Sequence, residues 1–238
     1  MSPRPDSDKL GVVIVDDHPM VRERLAQLIN KEADIYVCGE ADNISDGFDV
    51  IQRSGARAAI VDISLKGSSG LELIKNLRCA ADVPVLVLSM HDESLYAERA
   101  LRAGAKGYIT KHAESEKVMT AIRQVIAGDI YLEQHVATKI LTKLASHNSE
   151  KSGVNLLTDR ELEVFQLIGR GRTTREVGIR LGLSLTTIET YRARIKEKLG
   201  LENSNQLCHE AARWVESAQQ DFPLSSSPAA ESSDWRLP

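Results

Sequence analysis

The chain has 238 residues, 42% hydrophobic and 27% charged, with a formal net charge of −4 at pH 7. That length suggests one or two domains; no apolar run approaches the about 20 residues of a membrane helix, and the opening MSPRPDSDKL lacks the apolar core of a secretion signal, so the expected location is the cytoplasm. Cys38, Cys79 and Cys208 are far apart and show no CxxC spacing, which argues against a disulfide or zinc framework, and the acidic balance argues against a basic coat over the whole chain, although net charge can hide a local stripe.

Residues 1–8 read as a flexible leader. Strand and helix signals then alternate: strand 10–15, helix 18–30, strand 35–40, helix 43–53, strand 58–62, helix 69–78, strand 84–89, helix 92–103, strand 106–110 and helix 114–127. The runs LGVVIVDD, AAIVD, VPVLVLS and KGYITK have the Val/Ile/Leu density of strands buried on both faces. Pro19 suits a first helical position and Gly104 a helix stop. Five strands separated by helices predict right-handed βαβ units, hence an α/β doubly wound five-stranded parallel sheet over residues 9–128.

Residues 129–155 read as a linker carrying one helix, 132–145, with Val136, Ile140, Leu141 and Leu144 at helical spacing, followed by the polar stretch SHNSEKSGVN. From 156 to 217 the signals are helical only. Thr158 and Glu161 form a capping box at the start of helix 158–169. Thr173 or Thr174 opens a short helix ending at Leu181 before Gly182; Ser184 caps a third that stops at Gly200; Asn203 or Ser204 starts a fourth. Residues 218–238, rich in Ser, Pro and Ala, are expected to be a disordered tail.

The chemistry gathers at the strand ends. Asp16 and Asp17, Asp62, Ser89 and Lys111 each follow or close an apolar run. In an open α/β sheet the ligand site lies outside the carboxyl ends of the strands, so three carboxylates, a hydroxyl and an ammonium should converge there. Three carboxylates crowded together need a cation. Mg2+ suits them, because it takes oxygen ligands, keeps waters and accepts phosphate oxygens. The lysine and serine suit a phosphoryl group, and the set reads as an aspartate phosphorylation site.

With those residues in that order, the first half resembles the receiver domain of two-component response regulators, a flavodoxin-like fold, over roughly residues 9–128. The resemblance implies Asp62 as phosphoacceptor and a Mg2+ site made by Asp16, Asp17, Asp62 and the backbone carbonyl of Ser64. It further implies Ser89 as a hydroxyl switch and Lys111 as the partner of a phosphoryl oxygen. Tyr108 stands at the aromatic-switch position, with core packing as its other reading. The Ser64 side chain is expected to face solvent, although its position and that of His91 can tune dephosphorylation. His18 reads as a helix-start residue. Lys66 and His112 replace prolines frequent in the family; a cis Lys111–His112 bond would cost about 2.5–4 kcal/mol, and the sequence leaves cis and trans open.

In the second half, two short helices joined by a tight Gly turn, the second basic, are the helix-turn-helix signal. Arg192, Arg194, Lys196 and Lys198 outnumber Glu189 and Glu197 between 184 and 200, while Ile188, Ile195 and Leu199 lie on the apolar side. The segment LTDRELEVFQLIGRGRTTREVGIRLGLSLTTIETYRARIKEKLGLENSNQL resembles the all-α four-helix DNA-binding domain of LuxR type found in the NarL/FixJ response regulators. Tyr191 stands where many relatives have His, and Ala193 where a base-reading basic residue can stand, so no relative's sequence preference transfers. The expected DNA-facing set is Ser184, Thr187, Glu189, Thr190, Arg192, Ala193, Arg194, Lys196 and Lys198. Glu189, Thr190 and Ala193 are the base-edge candidates and the four cations the phosphate contacts.

The resulting expectation is a regulator and not an enzyme: a cytoplasmic, phosphorylation-dependent transcription factor with Mg2+ as cofactor. Its expected partners are a sensor histidine kinase, double-stranded DNA and, on phosphorylation, a second copy, with no membrane. The competing readings are a phosphotransfer sink with vestigial DNA binding and a regulator that works without phosphorylation. The intact basic helix argues against the first, and the complete pocket against the second.

Overall fold

The computed structural model describes residues 9–65, 68–90, 94–145 and 153–220. The leader 1–8, Lys66, His91, most of the polar linker and the tail beyond 220 lie outside the described residues.

The first unit runs β1 (Leu10–Val15), α1 (Pro19–Ile29), β2 (Ile35–Ala41), α2 (Ile44–Ser54), β3 (Ala58–Asp62) and α3 (Gly70–Ala80). It continues with β4 (Val85–Ser89), α4 (Ser94–Ala103), β5 (Gly107–Thr110) and α5 (Ser115–Ala127). All four strand pairings are parallel, in the order β2-β1-β3-β4-β5. The chain reverses direction across the sheet between β1 and β3, so their carboxyl ends border the crevice where such sheets take ligands. Side-chain alternation explains the two cores. Val12, Ile14, Ile60, Leu86 and Leu88 face α1 and α5, whereas Val13, Val15, Val61, Val85 and Val87 face α2, α3 and α4.

The second unit comprises α6 (Gln134–Ala145), a single 3-10 turn (Gly153–Leu156), α7 (Asp159–Gly169), α8 (Thr174–Leu181), α9 (Leu185–Leu199) and α10 (Ser204–Gln220). Capping boxes open both α7, at Thr158 and Glu161, and α8, at Thr173 and Glu176. Gly182, at φ 65°, makes the left-handed turn between α8 and α9 that a residue with a Cβ would strain to adopt.

Two expectations need correction. The helix expected from 132 starts at Gln134, because Tyr131 is taken by β5: its N–H donates to the Lys106 carbonyl at 2.9 Å, and its own carbonyl accepts from Tyr108 N–H at 3.0 Å. The tail expected to be disordered from 218 begins as helix, since α10 continues to Gln220. Docking of Leu207, Ala211 and Val215 against α7 supplies the tertiary support that a Ser/Ala/Gln segment lacks by itself.

The apolar core does not stop at the boundary between the units. One continuous cluster runs from Val13, Val61 and Val87 through Tyr96, Ala97 and Ala100 of α4 into Leu162, Phe165 and Leu167 of α7. Polar bonds reinforce it. Asp159 pairs with Lys75 and with Arg99, each at 3.0 Å, and Arg99 also donates to the Leu157 carbonyl at 2.8 Å.

Candidate phosphorylation pocket and nucleic-acid surface

The strand ends deliver the predicted groups together. β1 runs directly into Asp16 and Asp17, and β3 and β4 end on Asp62 and Ser89. Lys111 follows β5, its N–H donating to the Ser89 carbonyl at 2.7 Å. Gly70 allows α3 to start against the end of β3; a Cβ there would meet the Asp62 carbonyl oxygen at 1.9 Å. No peptide bond among the described residues is cis, so Lys111–His112 is trans.

Lys111 Nζ lies 2.6 Å from Asp16 Oδ2 and 2.7 Å from Asp62 Oδ2. Burial alone would lower the Lys111 pKa, but Asp62 and Asp16 outweigh it and hold the ammonium above its ordinary value. Burial pushes the Asp62 carboxyl up; Lys111 pulls it back and Asp16 adds to the rise. One cation among three carboxylates leaves an excess of negative charge, and this imbalance defines the site.

The residues fit a divalent ion. Asp16, Asp17, His18 and Asp62 present ligand atoms all within 4.8 Å of one another. Asp16 Oδ2 and Asp17 Oδ1 are buried and accept no aligned hydrogen bond, meeting only ion-pair contacts from Lys111 and His18. Those are hard oxygen donors of the kind Mg2+ takes. His18 caps α1 without a side-chain bond; its Nδ1 stands 2.7 Å from Asp17 Oδ1 and 3.2 Å from Asp16 Oδ1. Tyr108 is buried in the core. Ser89 is buried beside the site.

Ser64 departs from expectation. Its N–H donates to Asp62 Oδ1 at 3.3 Å, and its side chain, expected to face solvent, reaches Glu163 Oε1 of α7 at 3.4 Å. The second unit seats on the pocket. Asp62, Ser64, His18 and Met90 share a cavity of about 40 Å³ with Glu163, Leu167, Arg180 and Leu181. Glu163 is almost wholly buried, and its carboxyl is pushed up to about 7, by burial first, with Arg160 opposing and Asp62 adding to the rise. Arg160 bonds Glu163 at 2.5 Å, the Ser68 carbonyl at 3.4 Å and the Leu181 carbonyl at 2.9 Å. No local pattern in the sequence pairs Glu163 with Ser64, because the contact links different domains.

α9 buries Ile188 and Ile195 and leaves Ser184, Glu189, Thr190, Ala193 and Arg194 exposed, with Thr187, Arg192 and Lys196 half-buried. Its residues also bond within the domain. Ser184 caps the helix by accepting from Thr187 N–H at 3.1 Å. Thr174 donates to Glu189 at 3.0 Å, Arg192 lies 3.5 Å from Glu189, and Thr190 donates to the Thr186 carbonyl at 2.9 Å. Lys198 turns inward to Glu161, 2.6 Å away, joining α9 to the capping box of α7. Burial alone would raise the Glu161 pKa, but Lys198 and the bonds from Thr158 bring it below the ordinary value.

Comparison with known proteins agrees with both halves. Residues 12–123 match the family model described as response regulator receiver domain, and residues 155–211 that of bacterial regulatory proteins, luxR family. The transcriptional regulatory protein UhpA of Salmonella typhimurium is 34% identical over 84% of this chain and 96% of its own length. Response regulator GacA of Pseudomonas aeruginosa is 31% identical over 86% of this chain and 96% of its own length. Among solved structures, a two-component response regulator of the LuxR family from Aurantimonas is 27% identical with TM-score 0.54, covering 58% of this chain and 99% of that one. RcsB of Salmonella typhimurium, at 22% identity, shares the fold with TM-score 0.60 over 87% of this chain and 98% of its own.

Proposed function

This chain belongs to the response regulators of two-component systems that join a receiver domain to a LuxR-type DNA-binding domain and regulate transcription, and we propose that Asp62 is the residue whose phosphorylation switches it. The observation that carries the reading is the Asp62 carboxylate held by Lys111 beside Asp16, at the carboxyl ends of the strands.

An Asp62 oxygen attacks the phosphorus of a phosphohistidine on a sensor kinase, or of a small phosphodonor. The O–P bond forms as the donor's P–N or P–O bond breaks, and the leaving group keeps that bond's electron pair. Asp16, Asp17, Asp62 and the Ser64 carbonyl would hold Mg2+, which when bound supplies charge neutralisation for the transfer. Lys111, already at the carboxylate, takes a phosphoryl oxygen, so the protein contributes mainly position and charge. The transfer is a switching event on the protein's own side chain, not turnover of a substrate. The Ser89 hydroxyl then turns to the new dianion and Tyr108 follows it inward, biasing a two-state surface at α4 and β5.

The output is pairing with a second copy, so that two α9 helices read half-sites about one helical turn apart. Arg194 and Lys196, with Arg192 and Lys198 once their carboxylate partners release them, contact phosphates; Glu189, Thr190 and Ala193 face base edges, and Ser184 and Thr187 sit at the entering end of the helix. No described helix is long and apolar enough to cross a membrane, and the proposed place of work is the cytoplasm, where kinase and DNA are reached together. Footprinting of the full chain on its own upstream DNA, with and without acetyl phosphate and Mg2+, tests the reading. Protection should strengthen with the phosphodonor in wild type and not in Asp62→Ala; equal protection in all samples would remove phosphorylation from the mechanism.

A further inference from the structure

The carboxylate over the pocket belongs to the DNA-binding domain. Glu163 projects from α7 into the 40 Å³ cavity above Asp62, is almost wholly buried, and meets Ser64 in the loop that follows the acceptor. One water needs about 10–15 Å³ of such space, so the docked domains leave room there for a few waters at most. Three of the five N–H groups of Arg160 already bond Glu163, the Ser68 carbonyl and the Leu181 carbonyl, which fixes the guanidinium on that side of the carboxylate. Arg180 also borders the cavity, but it is exposed and its field is screened by solvent. Meanwhile Ser184, Glu189, Thr190, Ala193 and Arg194 of α9 stay exposed in the docked arrangement, so docking covers the phosphorylation pocket and leaves these residues of the recognition helix open to solvent.

We propose that Glu163 is the residue by which the DNA-binding domain reads the phosphoryl group: a dianion on Asp62 meets its buried carboxylate, the docked arrangement is destabilised, and the two domains part. The inference rests on Asp62 being the acceptor. Its physical basis is that like charges brought together in a desolvated contact oppose association strongly, whereas the same groups facing water are screened. Removing the charge while keeping the shape reverses the sign, because the amide of a glutamine can donate to a phosphoryl oxygen.

Cys79 on α3 and Cys208 on α10 are exposed, one on each domain. They allow the interdomain distance to be read by paired spin labels in the full chain carrying Cys38→Ser. The samples are the protein alone, with Mg2+, and with Mg2+ and acetyl phosphate, with phosphoryl uptake followed by intact mass. Wild type should lengthen the distance only in the third sample. Glu163→Gln should take up the phosphoryl group yet keep a docked population larger by roughly tenfold or more than phosphorylated wild type, in line with the cost of a like-charge contact. Glu163→Asp, which keeps the charge, should part like wild type and shows that substitution at this position is tolerated. If phosphorylated Glu163→Gln parts as fully as wild type, or if phosphorylated wild type stays docked, the proposal is overturned. Absence of phosphoryl uptake by wild type would instead strike the assignment of Asp62.

Discussion

Tyr96 of α4 donates its hydroxyl to Gln166 Oε1 of α7 at 3.2 Å, and both side chains are closed to solvent. This bond joins the receiver's α4 surface, proposed above to change shape on phosphorylation, to the first helix of the DNA-binding domain. A hydrogen bond of this kind contributes about 0.5–1.5 kcal/mol. Tyr96→Phe should therefore favour parting of the domains by that order, seen as a longer Cys79–Cys208 distance without any phosphodonor. An unchanged distance would assign the hold to the apolar packing and to the ion pairs of Asp159 with Lys75 and Arg99.

Asp62→Ala should abolish phosphoryl uptake from acetyl phosphate with Mg2+. Asp16 and Asp17 are also buried carboxylates, so intact mass followed by peptide mapping is the decisive measurement. A phosphoryl group retained on the variant would move the acceptor to one of them.

Lys111→Ala should slow phosphorylation while leaving Mg2+ affinity equal or higher. The ammonium sits on Asp16 and Asp62, so its loss makes the carboxylates more available to a cation and leaves the phosphoryl oxygen without its partner. Calorimetric titration of Mg2+ checks the first half; weaker binding would contradict the charge balance described here.

Lys198→Ala should destabilise the DNA-binding domain at neutral pH by about 1.5–3 kcal/mol, the range for a hydrogen bond to a charged group. The sign follows from Glu161, whose carboxyl lies below its ordinary 4.5 in the fold. Such a group contributes stability that is present above the ordinary value and is lost as pH falls through the lowered one. The gap in denaturation midpoint between wild type and variant should be full at pH 7 and close as the pH falls below the ordinary 4.5; a gap that persists in acid would assign the effect to packing of the lysine stem.

On DNA, Arg194→Ala should flatten the dependence of log K on log salt by about one unit, the signature of one lost phosphate contact. Lys198→Ala should flatten it less, because Lys198 contacts a phosphate only in the fraction of complexes in which Glu161 has released it. Substituting Thr190 should change preference among sequences and leave the slope almost unchanged. Identical salt slopes for Arg194→Ala and Lys198→Ala would mean that the ion pair opens on DNA.

The sequence by itself determined the local and periodic features. Strand and helix order followed from apolar runs of the right length, and the capping boxes at Thr158 and Thr173 from side chains that bond their own helix starts. The convergence of Asp16, Asp62 and Lys111 followed because residues at strand ends of a parallel sheet share one edge. Tertiary structure decided what depends on surfaces meeting. Glu163 reads as an ordinary polar position on an amphipathic helix until α7 seats on the pocket. Lys198 reads as a free cation until Glu161 comes within 2.6 Å. Residues 218–220 read as tail until α10 docks on α7. In each case the deciding partner lies far away in the chain, and only packing sets which groups lose water and which charges must face one another.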